Sequence, residues 1–167
     1  MKISIPAFAV ASLFTLSVAT AEDPEISTEV MTLGQQNFAT CMACHGADGK
    51  GFQAGPLLMA PSMVGSKLLL ADNVEIPIEI LLRGITKEDM KYAGMMAPVG
   101  AILDDAKIAA VLTYARNSFG NSAPEITAEQ VAKVRKEQEE ETATLKRSEL
   151  EAMLTEEGGA AEAPAAE

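Results

Sequence analysis

The chain has 167 residues, with 24 Asp and Glu against 13 Lys and Arg, a formal charge of −11, two Cys, one His and no Trp. This length holds one domain with room for an extension, and the acidity argues against nucleic acid as a partner, because phosphate binding needs a basic face. A single histidine excludes His-rich metal sites, and two cysteines cannot build the framework of a disulfide-stapled mini-protein.

Residues 1–21 carry one charge, Lys2, then an apolar-biased run from Ile3 to Val18, and end Ala19-Thr20-Ala21. That order predicts a secretory leader cleaved after Ala21. An uncleaved anchor is the alternative, but the run is short for a span of roughly 20 residues. No later run resembles a transmembrane helix, so the product is expected to be soluble and periplasmic, with no membrane span and a charge of −12.

Ser27 or Thr28 can cap a first helix through Val30, Leu33, Gly34 and Phe38 toward Cys41. Residues 46–66 hold Gly46, Gly49, Gly51, Gly55, Pro56, Pro61 and Gly65, which predicts a long ordered loop without a regular element. Pro77 opens a short helix through Ile78, Leu81 and Leu82, stopped by Gly84. A loop over about 85–103 leads to the clearest helix, which starts at Asp104-Asp105, carries Ile108, Val111, Leu112, Ala115 and Phe119 at helical spacing, and stops at Gly120.

Composition shifts near Pro124. Residues 22–124 read as the folded domain, 125–154 as a charged helical extension, and 155–167, made almost only of Gly, Ala, Glu and Pro, as a disordered acidic tail. The extension opens with a capping box at Thr127-Ala-Glu-Gln130, predicting a helix to about 141, and Leu150, Met153 and Leu154 suggest a second short amphipathic turn. The fold class is all-α with long loops.

Both cysteines and the histidine fall within Cys41-Met-Ala-Cys44-His45. In an exported protein C-x-x-C-H is the spacing of covalent haem attachment. Residues three apart share one face of a helical turn, so both sulfurs can reach the porphyrin vinyls, with His45 as the proximal iron ligand. A redox dithiol would need βαβ surroundings that the sequence lacks. A structural zinc needs four ligands, where Cys41, Cys44 and His45 supply three crowded ones. A disulfide would leave His45 unexplained. With no second histidine, the sixth iron ligand is a methionine drawn from Met31, Met42, Met59, Met63, Met90, Met95, Met96 and Met153. Met42 lies inside the motif and cannot reach the opposite face. Met31, Met59, Met63 and Met90 read as core fillers.

Cys-Met-Ala-Cys-His-Gly-Ala-Asp-Gly-Lys-Gly at 41–51, Ala60-Pro-Ser-Met-Val-Gly-Ser at 60–66, Tyr-Ala-Gly-Met-Met-Ala-Pro at 92–98 and the helix at 103–120 together resemble the class I c-type cytochromes. The likeness covers roughly residues 29–122. It implies three main helices around one covalently bound haem c, with Gly34 and Phe38 meeting the Tyr114 helix where the first and last cross. It places the axial methionine two residues before a proline, which selects Met96, with Met95 as the rival one residue away. It sets the Pro61 carbonyl near His45 Nδ1, with Pro56 as rival, and leaves Arg83 either facing a haem propionate or capping its own helix. Two features depart from the family pattern: Phe38 stands three residues before Cys41 rather than four, and the frequent Trp is absent.

A haem held on both axial faces leaves no position for substrate, so the expected function is a one-electron carrier, not an enzyme, working between redox partner proteins: a donor dehydrogenase or reductase and an acceptor oxidase or reductase. An electron-accepting subunit of a larger complex and a gas-binding haem protein are the alternatives. A single C-x-x-C-H excludes a two-haem peroxidase. Lys50, Lys67, Lys87 and Lys91 fall in loops expected around the haem crevice and could form a basic collar, or be ordinary solvated lysines.

Overall fold

Ser27 caps the first helix, α1 (Thr28–Phe38), by accepting a bond from the Val30 N–H at 3.2 Å. The computed structural model describes residues 25–88 and 92–156. The leader expected over 1–21, Met90 and Lys91, and the acidic tail beyond 156 lie outside those residues.

After α1 come the one-turn α2 (Met42–His45), strands β1 (Gln53–Ala54) and β2 (Leu57–Leu58), then α3 (Glu75–Arg83), α4 (Asp105–Arg116), α5 (Ala128–Glu137) and α6 (Arg147–Glu156). The fold is all-α apart from the antiparallel β1–β2 pair, in which Gln53 faces Leu58 and Ala54 faces Leu57. This hairpin corrects the expectation of no regular element in 46–66. Its turn is closed by the Gln53 side chain, which donates to the Gly55 and Leu57 carbonyls.

α3 begins two residues before Pro77, so the proline sits in the first turn, where a missing N–H removes no intrahelical bond. Asp104 caps α4 by accepting from the Lys107 N–H at 2.9 Å. The helix ends at Arg116 rather than running to Gly120. The Asn117 amide donates to the Thr113 carbonyl and the Asn121 amide to the Ala115 carbonyl, which takes up acceptors of the last turn. The chain then turns through Phe119 at φ 61°, which brings that ring beside Phe38 and Tyr114, with centroids 5.4 and 6.0 Å away.

α1 and α4 cross closely at Gly34, where an added Cβ would strike the Ala110 carbonyl oxygen and lie 2.5 Å from Tyr114 Cβ. The core continues from this crossing through Ile76, Ile78, Ile108 and Leu112, all buried. It includes Ile126, Val131 and Val134, so the segment beyond Pro124 packs into the same core and against α3 and α4. Two buried bonds fix its entry, with Thr113 Oγ1 donating to the Ile126 carbonyl at 3.2 Å and accepting from its N–H at 3.0 Å. The capping box at Thr127 and Gln130 is formed. α5 stops at Glu137, short of the expected 141; continuing would set Glu137 against Glu140 and Glu141 at i+3 and i+4.

Arg116 is 1% exposed and ties three segments together, donating to the carbonyls of Leu69 (2.6 Å), Ala71 (3.1 Å) and Pro124 (3.3 Å). Arg135 on α5 does the same for the start of α4, pairing with Asp105 at 2.7 Å and donating to the Gly100 and Leu103 carbonyls.

Candidate functional site: an apolar cavity above the Cys41–His45 turn

Cys41 starts a single helical turn in which the His45 N–H donates to the Cys41 carbonyl at 2.9 Å. The chain leaves the turn at Gly46, with φ 73° and ψ 161°, a region open essentially to glycine. It then folds back, and the N–H groups of Gly51 and Phe52 donate to the carbonyls of His45 and Cys44 at 2.9 and 2.8 Å. The glycine-rich stretch after the motif therefore satisfies the carbonyls that so short a helix leaves open.

Above this turn lies a cavity of about 320 Å³, within the roughly 300–1,000 Å³ typical of ligand and cofactor sites. Leu68 and Leu69, Ile80 and Leu81 of α3, and Val111 and Leu112 of α4 wall it with hydrocarbon. Cys41, Cys44, His45 and Met96 all line it. Met95 also lines it but is 53% exposed, whereas Met96 is half-buried and packs against the core. Met59 and Met63, expected as core fillers, line the cavity too, while Met42 and Met153 are exposed.

The loop that carries Met96 is bonded along its length. Ala93 and Gly94 N–H groups donate to the Leu58 and Met59 carbonyls at 2.8 and 3.2 Å. Met96 exchanges both backbone bonds with Ile85, at 3.0 and 2.9 Å, and the Val99 N–H donates to the Leu81 carbonyl at 2.8 Å. Gly84 sits against this ladder at φ 73° and ψ 177°, and an added Cβ would meet the Met96 carbonyl oxygen and lie 2.8 Å from Pro98 N. Gly84→Ala is therefore expected to cost about 1–3 kcal/mol in backbone strain alone and to displace the Met96–Pro98 segment. A lowered urea midpoint checks it, and an unchanged one would show that the segment is loosely held.

Burial pushes the Cys41 thiol up to about 11, with Cys44 beside it adding to the shift. A thiol held protonated is the opposite of what a redox-active C-x-x-C needs, since there the thiolate attacks. Burial also lowers the His45 pKa; the Pro61 carbonyl opposes this and the Arg147 cation adds to it. The imidazole is thus neutral at pH 7, as an iron ligand must be. Among the described residues His45 Nδ1 is the buried side-chain nitrogen left without a hydrogen-bond partner. The Pro61 carbonyl acts on the ring without reaching hydrogen-bond geometry. Such an orphan calls for an explanation, and a ring oriented by a bound group fits this site. An apolar cavity with two thiols, one neutral imidazole and a half-buried thioether is a donor set that fits haem c. Pro61 lines the cavity; Pro56 is exposed and does not.

Arg83 does not take the haem-facing place the resemblance allowed it, while its cation stands in the last turn of α3. It does not line the cavity, and it turns to the extension, donating to the Ala143 carbonyl (3.0 Å) and to Gln138 Oε1 (2.9 Å), with Glu79 at 3.6 Å and Glu141 at 3.8 Å. Arg147 lines the cavity instead. Nothing in the sequence singled it out, because it stands more than 100 residues from His45 on a segment read only as amphipathic. Of the proposed basic collar, Lys87 lies at the cavity and Lys50 and Lys67 are exposed.

A family model for cytochrome c matches residues 31–119, a little over half of the chain, from the first turn of α1 past the end of α4. No curated protein matches the chain.

Proposed function

The chain belongs to the cytochrome c family of haem-binding electron-transfer proteins, and from that premise we propose that it is a soluble, exported carrier of single electrons, using one haem attached through Cys41 and Cys44 and ligated by His45 and Met96. The observation that carries the reading is that these four side chains, from two segments about 50 residues apart, line one apolar cavity. Greater burial supports Met96 over Met95. Among the described residues no helix is long and apolar enough to cross a membrane. Members of the family are typically exported, and cleavage after Ala21 is part of the proposal.

When bound, the haem supplies a one-electron ferric/ferrous couple. The chain's residues do the rest. His45 would offer the iron a neutral nitrogen, and the Met96 thioether would favour its ferrous state and so raise the potential. The walls of Leu68, Leu81 and Leu112 exclude water. A haem held by both His45 and Met96 would leave no place for substrate on the iron, which supports a carrier rather than an enzyme. Donor and acceptor redox proteins are proposed to dock at the rim where Met95 and Lys87 lie.

A potentiometric titration of the haem-loaded protein, paired with carbon monoxide addition to its reduced form, tests the carrier reading. A single one-electron wave and no carbon monoxide adduct at neutral pH are expected. Ready adduct formation would replace the carrier with the gas-binding reading.

A further inference from the structure

Residues beyond the family match reach the same cavity by a defined route. After α5 the chain returns beside α3 and lays Leu145 beside Ile85, donating its N–H to the Gly84 carbonyl at 3.0 Å and accepting from the Thr86 N–H at 2.8 Å. Ile85 pairs on its other side with Met96, so the extension, Ile85 and the Met96 loop form three adjacent backbone rungs. One turn further, Ser148 bonds the Glu88 carboxylate through both its N–H and its hydroxyl, which caps the start of α6. Leu150 is buried in the core and anchors the far end. The segment between is held at both ends, and Arg147 is the side chain it delivers to the cavity.

Among the described residues the charged side chains in this apolar wall are Lys87, Glu88 and Arg147. Glu88 is occupied by Ser148, and the Lys87 ammonium donates to the Ala93 carbonyl at 3.3 Å. Arg147 makes an i,i+4 contact of 3.4 Å with Glu151, whose side chain is 57% exposed, a pairing that water weakens. A cation at the first residue of a ten-residue helix also stands at the wrong end of the helix dipole, so α6 gains nothing from it there.

Haem carries two carboxylates, and a carboxylate entering an apolar cavity is costly unless a cation with matching donors meets it. A guanidinium does so with paired N–H groups. We propose that Arg147, delivered by the C-terminal extension, is the counter-charge for a haem carboxylate, the place that Arg83 leaves empty by turning away. This rests on the reading that haem occupies this cavity. A fixed cation beside the haem favours the reduced form, which carries one positive charge fewer than the oxidised form.

The test compares midpoint potentials of the full-length, haem-loaded wild type with Arg147→Gln, Arg147→Lys and Lys136→Gln at low ionic strength. Lys136 is an exposed α5 residue, and its loss makes the same change in net charge. Arg147→Gln should lower the equilibrium constant for reduction about three- to tenfold, a tenfold fall being about 59 mV for a one-electron couple. Arg147→Lys should recover most of this, and Lys136→Gln should stay within about 1.5-fold of wild type. An Arg147→Gln potential equal to that of Lys136→Gln overturns the proposal. So does an equal fall in Arg147→Lys, because lysine keeps the cation. The comparison reads the carboxylate contact whichever methionine holds the iron, so a failed Met96 assignment remains distinguishable. A chain that takes up no haem overturns both.

Discussion

Gly34→Val is expected to lower stability by about 3–5 kcal/mol, at or beyond the upper end of the roughly 1–3 kcal/mol usual for overpacking. The reason is what its side chain would meet. An added Cβ strikes the Ala110 carbonyl oxygen and lies 2.9 Å from Ala110 C and 2.5 Å from Tyr114 Cβ, and none of these can swing aside as the end of a long side chain could. The helices themselves must separate. That separation would loosen Phe38 against Tyr114 and uncover part of a core shared with the cavity wall at Val111 and Leu112. Gly34→Ala recovers about 1 kcal/mol in helix propensity and should lose about 1–2 kcal/mol net. Gln35→Ala, one residue along and exposed, should stay within about 0.5 kcal/mol of wild type. Urea unfolding followed by circular dichroism ranks the three. A Gly34→Val midpoint equal to that of Gln35→Ala would mean that α1 and α4 do not pack this closely.

The parts of the molecule legible from sequence are those whose determinants are local. Cys41, Cys44 and His45 specify their chemistry within five residues, and Ser27, Asp104 and Thr127 cap helices through neighbours three positions away. The crossing of Gly34 and Phe38 with the Tyr114 helix followed from family likeness, and the structure has it. What stayed hidden depends on partners distant in the chain. Two-residue strands have no period to detect, so the hairpin at 53–58 escaped notice. The early end of α4 is set by Asn117 and Asn121 side chains competing for its last carbonyls, while the apolar spacing runs on to Phe119. Composition marked the segment after Pro124 as separate because it is acidic and lacks aromatics. Yet Ile126, Val131, Val134 and Leu150 are buried and tie it to the core of the domain. Arg147 was not a candidate at all, since what brings it to the cavity is backbone pairing between Leu145 and Ile85, 60 residues apart.

Met96→Ala carries the other large expected effect. The thioether is the one donor proposed for the iron's sixth position, and truncation to a methyl leaves nothing at that point that can coordinate. The Met96 backbone bonds to Ile85 would remain, because they involve no side-chain atom, so the loop should keep its course and the change should be confined to the iron. Met95 stands one residue away with its side chain 53% exposed, and the two Ile85 bonds fix the backbone register of Met96. The potential should fall, since a weaker or absent thioether no longer favours ferrous iron, and the reduced protein should begin to bind carbon monoxide.

The most direct measurement is therefore the oxidised and dithionite-reduced optical spectrum of the haem-loaded wild type beside Met96→Ala and Met95→Ala. A low-spin c-type spectrum is predicted, with a weak far-red sulfur-to-iron band that disappears in Met96→Ala and persists in Met95→Ala. A high-spin wild type, or a band that survives in Met96→Ala, would contradict the His45/Met96 carrier.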